Sequence, residues 1–395
     1  MAKSYNYAII GAGRQGTATA YDLAKWGDAA SIILADFHGD VALRSAERIN
    51  RLIGEDLASG VQINVNDYAA LVELLKPVDV LVCGTPFIFI PICTKAAIET
   101  GTGMVDYGGH TATVLSQLNM DEKAQEKNMA IVPDCGMGPG MNNSLGVYCI
   151  EQLREKDADP YDVRLWDGGL PLDRPEPWGY KCTFHINGLT NEYDGQALFL
   201  RDGQVTPVDA LTELEEIEFE GFGTLEAFVT SGGTSTVPYT FEGQIEVYEN
   251  KTCRYPGHYA QFKAFKDLGL FSEESLEVVP GGDIVNPRQF YHTLLEPQIS
   301  AENLKDVCIM RARGIGKKDG KDVVITVEVV DYYDEETGFT AMERMTGWHA
   351  GIVAELIARG EIAPGVLPLE KSITQGRIVE KMQQRGFKIT ERWQE

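Results

Sequence analysis

The chain is short of positive charge. It carries 35 lysines and arginines against 59 aspartates and glutamates, a formal net charge of −24. A surface that acidic repels phosphate backbones and anionic headgroups, so neither nucleic acid nor a membrane is an expected partner. Cysteine pairs are also missing. The seven cysteines (83, 93, 135, 149, 182, 253 and 308) are odd in number, scattered and never spaced C-x-x-C. That pattern argues against a structural zinc site and for reduced thiols in a cytoplasmic protein. Long apolar runs are lacking too. The longest uncharged stretch, residues 80–94, is shorter than a bilayer span and is broken by Gly84, Pro86 and Pro91. The opening MAKSYNYAIIGAG runs straight into a glycine turn, so no signal peptide is expected. The sequence contains no internal repeat and no low-complexity tract. Its 395 residues, 44% of them hydrophobic, predict a globular protein of about two domains.

What is present first is alternation. Short apolar runs at 7–10, 31–35, 61–65, 80–83, 103–105 and 130–132 read as buried strands. Between and after them, helical patterns occupy 17–26, 41–52, 68–75, 92–100, 120–128 and 140–152, the last with Pro139 at its first turn. Six strands separated by helices predict a doubly wound parallel sheet, an α/β dinucleotide-binding domain over residues 1–154. From 155 to 345 the pattern changes to an α+β domain with a mainly antiparallel sheet. Strands are expected at 163–166, 181–186, 245–248 and 323–330, and a helix at 259–268. Residues 323–345 read as a hairpin folded back at 334–338, and the acidic stretch 213–220 as a solvated edge. Residues 346–395 form a tail that opens with the small-residue helix GWHAGIVAELIARG and is expected to return onto the first domain. Trp348 and His349 read there as packing residues.

Gly11-Ala12-Gly13-Arg14-Gln15-Gly16 matches G-x-G-x-x-G in its proper setting, after an apolar strand and at the opening of a helix. Gly11 suits the tight turn, Gly13 the close approach of backbone to pyrophosphate, and Gly16 close packing of helix on strand. Asp36 ends the second strand, 20 residues after Gly16, where a carboxylate can accept from both adenosine-ribose hydroxyls. It would repel a 2′-phosphate, and Phe37 and His38 supply no arginine to neutralise one. The expected cofactor is NAD.

In an open parallel sheet the ligand lies at the carboxyl ends of the strands. The loops leaving the fourth, fifth and sixth strands are Gly84-Thr85-Pro86, the run Asp106 to His110, and the run Asp134 to Gly140. They gather two carboxylates, an imidazole and the Cys135 thiol among small residues such as Gly136. That mixture suits a cofactor ring and a small substrate beside titratable groups. Asp106 and Asp134 equally suit helix caps, Cys135 a buried small side chain, and His110 a solvated loop.

The motifs IIGAGRQG, VDYGGHTATV, VPDCGMGPGMNN, GGLPLDRPEPWGYK, TLEAFVTSGGTST, TCRYPGH and the RDGQ turn follow one another nearly end to end. Together they resemble the saccharopine dehydrogenase family, and within it the L-lysine 6-dehydrogenase branch. The resemblance implies a Rossmann cofactor domain, an α+β domain for substrate and dimer contacts, and NAD-dependent oxidation of a carbon–nitrogen bond in a homodimer. Saccharopine-forming members carry an asparagine-arginine-aspartate-serine element where this chain has Ser231-Gly232-Gly233-Thr234-Ser235. The missing arginine favours a smaller amino acid, and lysine fits. On that reading His110 is the preferred base, with Asp106, Asp134 and Lys181 also expected in catalysis. Cys135, Gly136, Tyr180, His185, Thr234, Ser235 and Arg254 are expected around the substrate, Arg254 as carboxylate ligand or as an ordinary ion-pair partner. Saccharopine oxidation, or a cofactor-binding regulatory protein without catalysis, are the alternatives.

Overall fold

The computed structural model describes residues 4–300 and 304–394. The apolar runs near the start become β1 (Tyr5–Ile10), β2 (Ala29–Asp36), β3 (Ala58–Gln62), β4 (Val80–Cys83), β5 (Gly103–Asp106) and β6 (Ala130–Val132). All pair in parallel, in the order β3-β2-β1-β4-β5-β6. Strands buried on both faces need no alternation, which is why VLVC at β4 and GMVD at β5 are buried at every position. The flanking helices are α1 (Arg14–Trp26), α2 (Gly39–Ile53), α3 (Tyr68–Leu75), α4 (Ile90–Thr100), α5 (Thr111–Leu118) and α6 (Asp121–Glu126). The strand order reverses between β1 and β4, and the crevice opens there. β3 lies three residues earlier than expected: Ile63 and Val65 are buried just beyond the strand, while the strand itself is a largely exposed edge. Helix α5 has no counterpart among the helices the sequence pattern predicts.

Helix α7 (Met141–Glu155) leads into the second sheet. Its elements are β7 (Asp159–Pro171), α8 (Ile186–Glu192), β8 (Gln196–Arg201), β9 (Gln204–Asp209), β10 (Glu215–Phe219), β11 (Gly223–Val229), α9 (Val237–Phe241) and β12 (Val247–Arg254). Next come α10 (His258–Asp267), a small ribbon of β13 (Leu276–Glu277) and β14 (Ile284–Val285), α11 (Pro287–Ile299), β15 (Asp306–Lys318) and β16 (Lys321–Tyr332). The chain ends in α12 (Ala341–Ala358), β17 (Gly365–Val366), α13 (Leu369–Ser372), α14 (Gln375–Gln384) and β18 (Ile389–Gln394). The order is β10-β11-β12-β7-β15-β16-β18, antiparallel except where β12 runs parallel to β7, with β8 and β9 branching from β12. The acidic stretch provides the edge strand β10.

Two sequence expectations are corrected by the fold. The hairpin closes at Asp319-Gly320, both left-handed, and joins β15 to β16. Beyond residue 340 the chain is helix, because Thr340 and Glu343 form a capping box and both Asp306 oxygens accept from the Ala341 and Met342 amides. Residues 181–185 are not strand either. The amide of Cys182 donates to Ile299 O and the segment ends as the cap of α8.

The tail closes both sheets: β17 adds to β6 in parallel and β18 to β16. Between them α12 packs on α1 through Gly347 and Gly351. A Cβ on Gly347 would stand 2.8 Å from Ala18 Cβ, and one on Gly351 would collide with Asp22. Asp22 is fully buried and is held by Arg385 at 2.6 and 2.9 Å, which also pairs with Glu355. His349, fully buried, donates from Nδ1 to Cys135 O (2.8 Å) and accepts at Nε2 from Ser144 (3.1 Å), so it ties the last long helix to the rim loop. Among the described residues, no helix is long and apolar enough to cross a membrane.

Candidate active site

The turn between β1 and α1 has the shape a pyrophosphate requires. Gly11 is left-handed (φ +100°), and a Cβ there would stand 2.5 Å from Gly84 O, so β1 and β4 meet only through glycine. A Cβ on Gly16 would collide with Gly11 O. Around Gly13, the cap of α1, a Cβ would meet no described atom within 4 Å beyond its own chain neighbours. The helix has neither a side-chain cap nor an acidic residue in its first turn, leaving its amides for an anion. Asp36 accepts from Ala12 N and His38 N, both at 2.9 Å, one on each oxygen. Each oxygen keeps a lone pair for a ribose hydroxyl. Phe37 is exposed beside it. Thr85 contacts Cys83 Sγ at 3.3 Å, and Pro86 opens a short 3-10 turn. Arg14 reaches Thr183 O (3.5 Å) in the second domain. These residues fit a dinucleotide.

The rim loops divide differently from the expectation. Asp106 is fully buried and accepts from Gly108 N (2.9 Å), Asp134 N (3.1 Å) and Gln117 Nε2 (2.9 Å). It splices two loops together, and burial raises its pKa. Asp134 accepts from Ser235 Oγ across the two domains, and from Gly109 N at 3.3 Å. Burial, then the neighbouring Asp106, push its pKa up to about 7. Asp134 and Ser235 both hold left-handed backbone (φ +61° and +44°), a cost that a fixed domain junction sustains. Cys135 is fully buried, its thiol against Val132 O and its pKa raised by burial, the surroundings of a packing thiol. His110 is the cap of α5. Its Nδ1 accepts from Thr113 N (3.3 Å), and its exposed ring stacks on Phe87 with centroids 4.2 Å apart. It is not among the residues that line the cavity between the two sheets.

That cavity, of about 220 Å³, lies between the rim loops and the second sheet. Gln15, Tyr107 and Gly136 to Gly138 wall it on the cofactor side, and Gln15 Oε1 is buried there without a partner among the described residues. Gly169 of β7, Thr230 and Ser231 after β11, and Thr252 of β12 continue the wall. Its charged lining is Asp167, Glu192 and Arg254. Arg254, 3% exposed, donates from Nε to Tyr193 Oη (2.9 Å) and from Nη1 to Cys253 O (3.0 Å), with Glu192 3.7 Å from Nη2. Tyr193 Oη in turn donates to His258 Nε2 (2.8 Å). Burial, and then the Arg254 charge, hold His258 well below the usual imidazole pKa, so that ring is a neutral acceptor. Asp167 Oδ2 accepts from Asn250 Nδ2 (3.1 Å). Burial pushes Asp167 up to about 6 and Glu192 up to about 7.

Of the expected substrate residues, Arg254 and Gly136 line the cavity. Tyr180 lies behind it, its ring centroid 5.2 Å from the Arg254 guanidinium carbon. Lys181, expected in catalysis, instead caps the end of α11, donating to Gln298 O (2.8 Å) and Ser300 O (3.3 Å). His185 is the exposed cap of α8, and Thr234 is turned to Leu198 O (2.6 Å). Asp167, Glu192 and Asn250 escape sequence reasoning. One signal is available: Asn250, Thr252 and Arg254 put polar groups at every second position of one strand.

Residues 7–132 match the family model described as the saccharopine dehydrogenase NADP binding domain, and residues 136–387 that of the saccharopine dehydrogenase C-terminal domain. The chain belongs to the saccharopine dehydrogenase family. It is 21% identical to the NADP(+)-dependent, L-glutamate-forming saccharopine dehydrogenase of Schizosaccharomyces pombe, covering 89% of this chain and 92% of that one. The corresponding enzyme of Pyricularia oryzae is 26% identical over 59% of this chain and about half (53%) of its own. Carboxynorspermidine synthase of Vibrio cholerae is 24% identical, covering 92% and 91%. The fold matches apo saccharopine dehydrogenase (L-Glu forming) of Saccharomyces cerevisiae with a TM-score of 0.80 over 99% of this chain and 100% of that one, at 18% identity. The protein is thus a saccharopine dehydrogenase-like, NAD(P)-binding amino-acid dehydrogenase.

Proposed function

We propose that this dehydrogenase oxidises the carbon bearing the side-chain amine of a small diamino monocarboxylic acid, L-lysine foremost, with NAD. One observation carries the reading: the cavity sets one guanidinium, Arg254, against two carboxylates, Asp167 and Glu192. Lysine brings the complementary set, one carboxylate and two ammonium groups. Saccharopine has three carboxylates and would leave two of them without a cation, each at a desolvation cost that the neutral donors of the lining offset only in part. The balanced reaction is lysine + NAD⁺ + H₂O → ε-aldehyde + NH₄⁺ + NADH + H⁺, and the aldehyde closes unaided to Δ1-piperideine-6-carboxylate.

Gly11, Gly13, Gly16 and the first amides of α1 would hold the pyrophosphate, and Asp36 the adenosine ribose. Bound nicotinamide supplies the hydride acceptor. Asp36, with no lysine or arginine in the next two positions, favours NAD over NADP by repelling a 2′-phosphate. The chain's own part is to fix the zwitterionic end with Arg254 and to exclude bulk water through the domain junction at Asp134 and Ser235.

The test is initial-rate formation of reduced cofactor and ammonia with lysine or saccharopine, each with NAD and NADP. Lysine with NAD is expected to give a specificity constant at least about tenfold above any other pairing, the worth of one well-made charged hydrogen bond. Saccharopine at or above lysine selects the second reading, saccharopine dehydrogenase, the activity in the names of several relatives. Silence with every amine despite NAD binding selects a non-catalytic binding protein.

A further inference from the structure

Resting on that reading, we propose that Asp167 takes the proton from the side-chain ammonium, while Arg254 and Glu192 grip the α-carboxylate and α-ammonium at the other end of the cavity. The cavity then measures chain length.

The geometry runs along two adjacent strands. Asn250, Thr252 and Arg254 alternate onto one face of β12 and all line the cavity. β7 lies parallel beside it with Asp167 opposite Thr252. At ~3.3 Å per residue, Thr252, level with Asp167, is about 7 Å along the strand from Arg254, and Asn250, which Asp167 contacts, about 13 Å. The Asn250 end is the cofactor end. Gly233, packed on Asn250, accepts at its carbonyl from Asn142 and Asn143 at the start of α7 (3.0 and 3.1 Å). Asp167 Oδ2 lies 3.1 Å from the Cβ position of Gly138, in the loop leaving β6. The Arg254 end is anchored away from the rim, on Tyr193 and His258.

The two carboxylates have different surroundings, which separates their roles. Glu192 stands beside the one guanidinium, so an arriving zwitterion finds both signs there. Asp167 is tethered by an amide that donates to it and points at the rim. Its high pKa lets it receive a proton near neutrality, and enclosure at the cofactor end lowers the ammonium's own pKa. In the step, an N–H bond of the ammonium breaks and a carboxyl O–H forms on Asp167. The freed nitrogen lone pair becomes the C=N bond as the C–H pair leaves Cε as hydride for the nicotinamide. The charged groups acting on Asp167 are Arg254 on β12, which lowers its pKa, and Glu192 on α8, whose own pKa Asp167 raises. Asn142 and Asn250 are neutral donors, and the buried thiols Cys253 and Cys308 have raised pKa values and stay uncharged.

Asp167→Asn keeps the size and the Asn250 contact while removing the base. It is expected to lower kcat/KM for lysine by on the order of 10²–10⁴-fold, to remove the ionisation near pH 6 from the acid limb of the pH profile while that of Glu192 near 7 stays, and to leave NAD affinity, read by protein fluorescence, unchanged. Asp167→Glu should restore part of the rate. In the native protein ornithine, one methylene shorter, should bind but lose most of its kcat. A loss under tenfold with the acid limb intact overturns the inference and leaves the lysine reading standing. Failure of the native protein to oxidise lysine overturns that reading instead. Asp167 is then judged by calorimetry of lysine binding to the NADH complex at pH 6, in two buffers of different ionisation heat. Fewer protons released by Asp167→Asn than by the native protein support the inference, and equal release overturns it.

Discussion

A guanidinium buried to 3% exposure is costly unless its donors are used, and Arg254, which lines the cavity, commits Nε and Nη1 to Tyr193 and Cys253 while Nη2 lies 3.7 Å from Glu192. The remaining donors can hold a carboxylate far from the reacting carbon, so they bind ground and transition states alike. Arg254→Gln is therefore expected to raise KM for lysine by roughly 10–100-fold with a small effect on kcat, from ~1.5–3 kcal/mol for a charged hydrogen bond. Cadaverine, the same diamine without its carboxylate, should respond little to the substitution, which steady-state kinetics on both substrates will check. At this scale the sequence is legible where chemistry and local pattern coincide. The glycines of the β1–α1 turn and Asp36 have roles set within one supersecondary unit. His110, Asp106 and Lys181 have the right chemistry for catalysis, and the structure places them as a helix cap, a loop splice and a helix-end cap, outside the lining of the cavity. Asp167 and Glu192 become a site only through strand register and domain closure, which no short window contains.

Elements are readable in proportion to how local their signals are. The parallel strands announce themselves as apolar runs because both faces are buried, and the α7 start comes directly after its glycine–proline loop. The Asp319-Gly320 turn carries a strong hairpin signal that the longer acidic turn at 334–338 obscures, though the latter only leads into the capping box of α12. Lys181 to His185 alternate like a strand, yet the amide of Cys182 is committed to the end of α11 and the backbone turns into α8. The α1–α12 contact shows how strictly one element is matched to another. A methyl on Gly351 would displace Asp22 from Arg385, so Gly351→Ala should cost ~1–3 kcal/mol as overpacking. For a chain of this size that corresponds to a fall in Tm on the order of 1–4 °C, readable by calorimetry.

For the whole molecule, the segment from β17 to β18 binds the two sheets together. β17 ends the first sheet, β18 ends the second, and α14 between them supplies Lys381 and Arg385 to Glu355 and Asp22. A chain stopped after Phe387 should still bind NAD and melt cooperatively at a lower temperature, because it loses only an edge strand. One stopped after Pro364 leaves buried Asp22 without Arg385 and Glu355 with Arg359 alone, at roughly 3–5 kcal/mol for a broken buried pair, and should neither fold nor bind cofactor. Circular dichroism and cofactor titration on the two truncations will tell them apart.

That arrangement also fixes a timetable for biosynthesis. The ribosome delivers β6 by residue 132, yet the strand that covers its outer edge arrives only at residue 365. At about 5–20 residues per second, the nascent chain carries that bare edge for roughly 10–50 s. β16 waits in the same way for β18. An unpaired strand edge is a template for pairing with other chains, so the interval is the protein's main exposure to aggregation. Its yield in a cell should therefore depend more on chaperones that shield half-made sheets than on the stability of the finished fold.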